Sequence, residues 1–294
     1  MNPVLPLDRC RAFYDGTVSE PRLLHPEAVA VDPEGNVWCG GELGQIYRIP
    51  ADGSRLEEMA STGGFTLGIA FDAAGRLYTC DLKHRCVFLY DPASGALEEF
   101  ARFDTDRATG PPNWPVVDAR RNVLYVSESF GPDEPGPGVW RFDLDSGAGG
   151  LWLDRPLAFA NGMALSGDAN ALYVAETFGR RILRIPIGAD GTPSEPETVV
   201  ELSGALPDGL ALDRDGVLYI ACYEPSQVLR LRQDGALELF VADPEAHMLC
   251  HPTNCAFRGN QLFIANLGRW HVTVVETAAT GLVLPVGGAD ALSH

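Results

Sequence analysis

Six copies of one pattern run through this chain of 294 residues: PEAVAVDPEGNVWCG from Pro26, TLGIAFDAAGRLYTCD from Thr66, PNWPVVDARRNVLYVSE from Pro112, ANGMALSGDANALYVAE from Ala160, PDGLALDRDGVLYIACY from Pro207 and PTNCAFRGNQLFIANLG from Pro252. Each copy is a short run with apolar residues at alternate positions, a polar turn, and a second apolar run with an aromatic near its start. Aligned on Asp32, Asp72, Asp118, Ser166, Asp213 and Arg258, the copies step by 40, 46, 48, 47 and 45 residues. Period-two alternation rich in β-branched and aromatic residues is strand patterning, and turns such as DPEGN, DAAGR and DRDGV carry the residues that tight hairpins require. A third strand follows in most copies (GQIYRIP, RCVFLYD, GVWRFDL, RILRIPI, QVLRLR, HVTVVE), and a fourth in several (ALEEFAR, GGLWLDR, ALELFVA). Hairpin-linked groups of four strands at this period predict an all-β, six-bladed β-propeller around a central channel.

No stretch carries the periodicity of an amphipathic helix of ordinary length, which argues against a doubly wound α/β sheet. Six units from Pro26 to about Gly268 leave no room for a second core, so residues 1–294 read as a single domain. A closed ring must also join its ends. The segment CRAFYDG, from Cys10, is therefore expected to pair into the last blade and cover its open edge. Two long irregular stretches, Asp104 to Asn113 and Gly131 to Gly138, flank the third copy; such loops carry function or are plain surface insertions.

The 40 acidic residues outnumber the 22 basic ones, for a net charge of −18. Such a field repels a phosphate backbone and an anionic membrane surface, so neither nucleic acid nor a membrane is an expected partner, and a small-molecule substrate is. The same acidity favours solubility and would welcome a divalent cation. The cysteines number seven (Cys10, Cys39, Cys80, Cys86, Cys222, Cys250, Cys255), an odd count without framework spacing. No leader-like opening and no apolar run near the ~20 residues of a membrane helix is visible. The expectation is a reduced, cytoplasmic protein with cysteines as small buried hydrophobes.

In a propeller the first strand of each blade lies innermost, so equivalent positions at its start ring the axis. That column reads Glu27, Leu67, Asn113, Asn161, Asp208, Thr253. Two carboxylates and two amide carbonyls are hard oxygen donors of the kind calcium prefers, and no His or Cys of a zinc set shares the column. Asn or Asp before Gly is also a common turn dipeptide, so backbone capping competes at any one position. Capping gives no reason for four polar residues in one register, whereas a cation does. A second column at the ends of the second strands reads Gly41, Asp81, Glu128, Glu176, Cys222, Asn266. Its Glu128 and Glu176 stand as candidate contacts for substrate hydroxyls, or as carboxylates behind the site. No GxSxG, HExxH, GxGxxG or Walker motif is present, and the single lysine, Lys83, has nothing to recommend it.

The six copies and the Glu27, Asn113, Asn161, Asp208 column resemble the gluconolactonase/regucalcin (senescence marker protein) family over nearly the whole chain. The resemblance implies a divalent cation in the axial channel, most often calcium, with zinc, manganese or magnesium as substitutes. It puts Glu27, Asn161 and Asp208 at family metal positions. Asn113 falls on an Asn that contacts substrate in the lactonases and ligates metal in the similar diisopropyl fluorophosphatase. Glu128 falls near a family substrate-binding acid. The chain departs from the lactonase pattern at Pro111, where an Arg is usual, at Trp114, where an Asp is usual, and at Ala28, where a Gly is usual. Trp114 near the axis points to a more apolar substrate. The combined expectation is a metal-dependent hydrolase of a small lactone or ester with Asp208 as general base. Its rivals are a phosphotriester hydrolase on the same site, a strictosidine-synthase-like condensing activity, and a non-catalytic propeller that binds a ligand or protein.

Overall fold

The computed structural model describes residues 2–103, 106, 110–129 and 135–283. Half of each irregular stretch flanking the third copy, residues 104, 105 and 107–109 and residues 131–134, lies outside the described residues. The chain folds into six four-stranded antiparallel sheets, a six-bladed propeller. Blades 1 to 5 open with the inner strands Val29–Val31, Thr66–Phe71, Pro112–Asp118, Ala160–Leu165 and Leu206–Leu212, and each sheet continues outward in chain order. The one helical element among the described residues is a 3-10 turn, Leu7–Arg9.

Blade 6 contains Pro252–Arg258, Gln261–Asn266 and His271–Glu276, and its fourth strand is Cys10–Asp15 from the other end of the chain. The pairing expected for CRAFYDG is thus present, with Cys10 opposite Val275 and Asp15 opposite His271. An unpaired edge at His271–Glu276 would template association with another chain. Deleting residues 2–15 is therefore expected to lower Tm by more than about 10 °C and to produce oligomers. Calorimetry and size-exclusion chromatography check this.

The repeated Asp is a turn cap. Asp32 accepts the Asn36 N–H and the Trp38 indole N–H, and Asp72, Asp118 and Asp213 each accept two backbone N–H groups of their own hairpins. Ser166 does the same for Ala171. Each of these hairpins also needs a left-handed residue, supplied by Gly35, Gly75, Gly216 and Gly259 and, in blades 3 and 4, by Asn122 and Ala169. In blade 6 Arg258 replaces the Asp and donates to the Gly35 and Ala51 carbonyls of blade 1, tying the ring's seam.

The core lies between blades. Tyr78 and Val87 of blade 2 pack with Leu124 and Trp140 of blade 3, and Ile182 of blade 4 packs with Leu210 and Ile220 of blade 5. All seven cysteines are free and buried.

Candidate functional site

At the start of the inner strands the ladder is irregular, and the irregularity builds the site. In blade 3 Pro112 pairs with Glu128 and Pro115 with Val126, so three steps on one strand oppose two on the other. The same extra residue occurs between Thr66 and Ile69, between Ala160 and Met163, between Pro207 and Leu210, and between Pro252 and Asn254. A β-bulge re-aims the side chain it carries. Leu67, Asn113, Asn161, Asp208 and Thr253 all sit in these bulges, and Glu27 lies just ahead of the shorter strand of blade 1. All six line one cavity of about 520 Å³.

Asn161-Gly162 and Asp208-Gly209 are thus inside strands rather than hairpin turns. Their glycines serve close approach. A Cβ on Gly162 would lie 2.3 Å from the Asp208 carbonyl oxygen, and one on Gly209 would lie 2.6 Å from the Thr253 carbonyl oxygen. Adjacent inner strands nearly touch around the axis, and this closeness brings the column together.

Each amide is oriented by a relay. Asn113 Nδ2 donates to Ser129 Oγ at 2.7 Å, and Ser129 Oγ donates to the Ala160 carbonyl at 2.9 Å. One blade on, Asn161 Nδ2 donates to Thr177 Oγ1 at 3.1 Å, which donates to the Pro207 carbonyl at 2.7 Å. A hydroxyl whose proton goes to a carbonyl accepts from the amide nitrogen, so the amide oxygen is left over. Asn113 Oδ1, Asn161 Oδ1, Asp208 Oδ1 and Glu27 Oε2 are all buried without a hydrogen-bond partner. Buried polar atoms are ordinarily satisfied, so four orphans in one ring are a signature of a missing partner. Thr253, by contrast, gives its proton to the Glu27 carbonyl at 2.6 Å.

The electrostatics agree. Burial pushes the Glu27 carboxyl from 4.5 up to about 7. Burial and then the charge of Glu27 push Asp208 well above the usual carboxylate range, with Asn161 offsetting part of the effect. Two desolvated carboxylates in one ring resist ionisation together unless a cation joins them. The donor set, two carboxylates and two amide oxygens, suits a hard divalent ion. Among the described residues no three His, Cys, Asp or Glu side chains converge.

Three expected contacts are corrected. Neither Glu128 nor Glu176 lines the cavity. Glu128 accepts the Gly110 N–H at 2.8 Å and the Trp140 indole N–H at 2.5 Å; Glu176 accepts the Ala158 N–H at 2.7 Å and pairs with Arg181. With Asp81, which accepts the Phe65 N–H, and Asn266, which accepts the Cys250 N–H, they fasten the loops entering blades 2, 3, 4 and 6. Trp114 occupies the second bulge position, where its ring lies over Gly68 and it belongs to the apolar cavity at the other end of the inner strands.

The residues that do form the mouth lie one place further along. Leu82, Ser129, Thr177, Tyr223 and Leu267 immediately follow the second column, and all line the cavity. In blades 3 and 4 the last residue of the second strand still pairs into the ladder, Glu128 with Pro112 and Glu176 with Ala160, and the residue after it reaches the cavity. Phe65, Pro111, Phe159 and Leu206, each two residues ahead of the ring, complete the collar. Phe159 holds a left-handed backbone, φ 67°, as do His25 (φ 44°) and His251 (φ 48°) at equivalent places. Such conformations cost of order 1–3 kcal/mol and persist where surrounding structure enforces them.

Comparisons with known proteins agree with this architecture. The profile of the SMP-30/gluconolactonase/LRE-like region matches residues 57–267, and a strictosidine synthase-like N-terminal profile matches residues 17–49. The chain is 34% identical over 229 residues to lactonase drp35 of Staphylococcus saprophyticus, covering 72% of this chain and 55% of that protein. It is 28% identical over 218 residues to STRICTOSIDINE SYNTHASE-LIKE 4 of Arabidopsis thaliana, covering 68% of this chain and 56% of that one. The chain thus spans about half the length of these two relatives. Its fold matches the calcium-binding protein regucalcin of Agrobacterium tumefaciens with a TM-score of 0.76, at 19% identity, over 96% of this chain and 97% of that one. With a profile that takes in the larger part of its sequence, this chain belongs to the SMP-30/gluconolactonase/LRE-like family.

Proposed function

We propose that this propeller is a calcium-dependent hydrolase of a small lactone or related ester. The observation that carries the reading is the ring of four unpartnered buried oxygens, on Glu27, Asn113, Asn161 and Asp208, in a single cavity with a largely apolar collar. These residues would hold the ion. The lactonase relative supports the reaction class, and the calcium-binding propeller supports the choice of ion.

When bound, the cation supplies a Lewis acid for the carbonyl oxygen of the ester. The chain itself supplies a proton acceptor and a dry pocket. Asp208 takes a proton from the attacking water, whose oxygen adds to the acyl carbon. The bond from that carbon to the ring oxygen breaks, the proton passes from Asp208 to the departing alkoxide, and a hydroxy acid results. The apolar collar excludes competing water, which strengthens every electrostatic interaction beneath it. Activity on a lactone panel is expected to disappear on thorough chelation and to return with calcium. Turnover that survives chelation would overturn the reading.

The ring also predicts a pH-dependent stability. Glu27 and Asp208 have folded-state values above their unfolded ones, Glu27 about 7 against 4.5. A raised carboxyl contributes stability to the cation-free fold as pH falls through that window, and the contribution is lost as pH rises through it. Calcium binds the ionised carboxylates, so its stabilisation runs the other way. Calcium in excess is expected to raise Tm by roughly 3–8 °C near pH 8 and by much less near pH 5. Differential scanning calorimetry with and without chelator reads this directly, and identical melting at pH 8 under both conditions counts against a cation in the ring.

A further inference from the structure

Above the ring of Glu27, Asn113, Asn161 and Asp208, much of the cavity wall is hydrocarbon. Of its described side chains Phe65, Leu82, Phe159, Phe178 and Leu267 present only hydrocarbon. Leu82 and Phe178 are each 39% exposed, large apolar residues left in water at the mouth of a pocket. Phe178 is braced edge-on against Phe159, with ring centroids 5.0 Å apart. Exposed apolar groups gathered at one concavity mark a binding surface rather than a packing remainder.

The hydroxyls on the wall are already committed. Ser129, Thr177 and Thr253 each give their proton to a backbone carbonyl. Tyr223 brings a further hydroxyl-bearing side chain to the lining. Its ring is stacked on His251, centroids 4.5 Å apart and 19° from parallel, and the imidazole is in turn held by Nδ1 against the Tyr223 carbonyl at 3.1 Å. A phenol ring held by stacking is a positioned hydrogen-bond donor.

We propose that the pocket takes a lactone or ester with a hydrocarbon body rather than a polyhydroxylated one, and that Tyr223 Oη donates the hydrogen bond that seats its polar end. The proposal rests on the hydrolase reading above for the reacting group but draws its selectivity from the wall alone. A sugar-like ligand would bury several of its hydroxyls against the phenylalanines and leucines of the collar, and each hydroxyl left unpaired there costs affinity. An alkyl or aryl body gains by covering the same surface.

The test separates binding from turnover. Two non-hydrolysable δ-lactams, one bearing an alkyl chain and one bearing a hydroxyl on every ring carbon that can carry it, are titrated calorimetrically into the calcium-loaded protein. The alkyl lactam is expected to bind at least about tenfold more tightly. Equal affinity, the reverse preference or no binding of either overturns the ligand class. Tyr223→Phe keeps the stacked ring and removes only the hydroxyl. It is expected to weaken the alkyl lactam about tenfold with Tm and calcium affinity unchanged. Undiminished affinity in that variant overturns the role of Tyr223. Phe178→Ser is expected to erase most of the preference between the two lactams, and an unchanged preference counts against the collar as its source. If the alkyl lactam binds as expected while no lactone is opened, the ligand class stands and the hydrolytic reading falls.

Discussion

Asp208→Asn is expected to lower kcat/KM by at least about a thousandfold, to abolish the calcium response in melting, and to raise the Tm of the cation-free protein at pH 8 by roughly 2–6 °C. The combination is diagnostic. Asn has nearly the shape of Asp, so packing against Gly162 and the neighbouring strands is kept. What disappears is one of two desolvated charges that resist ionising together. Removing an uncompensated buried charge stabilises the empty fold, while losing an anionic ligand destroys affinity for the ion. A residue kept only for the scaffold predicts the opposite pattern, with lower stability and an unaltered calcium response. Calorimetry, equilibrium calcium binding and steady-state kinetics on the same preparation give all three readings. Asp234→Asn, at an exposed turn, is the matched control and is expected to leave each of them within error.

Gly162→Ala is expected to destabilise the fold and the ring together. The added methyl would lie 2.3 Å from the Asp208 carbonyl oxygen and 2.5 Å from Gly209 Cα. Both are backbone atoms of the adjacent inner strand, so no rotamer change relieves the contact and blades 4 and 5 must separate. Overpacking against an immovable neighbour places the cost at about 3 kcal/mol, with Tm falling by about 6 °C or more and the calcium response weakened. Gly150→Ala is the comparison, since a methyl there meets nothing within 4 Å and the backbone is not left-handed. Its expected effect is below about 0.5 kcal/mol. Thermal melts of the two variants decide the matter, and equal stability would mean that the inner strands have room to spare.

The architecture was legible because it is written redundantly. Alternation, the recurring Asp and the left-handed turn residue each mark the same hairpins, and any one of them would have located most blades. The ring was legible for a different reason: Glu27, Asn113, Asn161 and Asp208 are polar where a strand interior should be apolar. The mouth was not legible. Its face depends on a one-residue bulge at the start of the inner strands, and nothing in a run such as ANGMAL announces that the ladder slips between Ala160 and Met163. Taking the column at the ends of the second strands put Glu128 and Glu176 forward as candidates and passed over Tyr223 and Leu267, one place further along. Trp114 misled similarly, because two adjacent residues in a bulge serve two different cavities.

The closure of the ring by Cys10–Asp15 has a consequence for how the molecule assembles. Glu27 comes from the first blade, and its nearest ring neighbour by hydrogen bond is Thr253, 226 positions away in the last. Val29 N–H is likewise received by Asn254 Oδ1 at 3.0 Å across the same seam. Asn113, Asn161 and Asp208 stand on consecutive blades and can be arranged while the chain is still an open arc; the contacts of Glu27 and Val29 with the last blade form only when the two ends of the ring meet. Contacts of such long sequence separation form late, after the loop entropy of the whole chain has been spent. An ion that needs all four oxygens would then recognise only the finished circle and hold its seam shut. Calcium is accordingly expected to slow the opening of the circle far more than it speeds its formation.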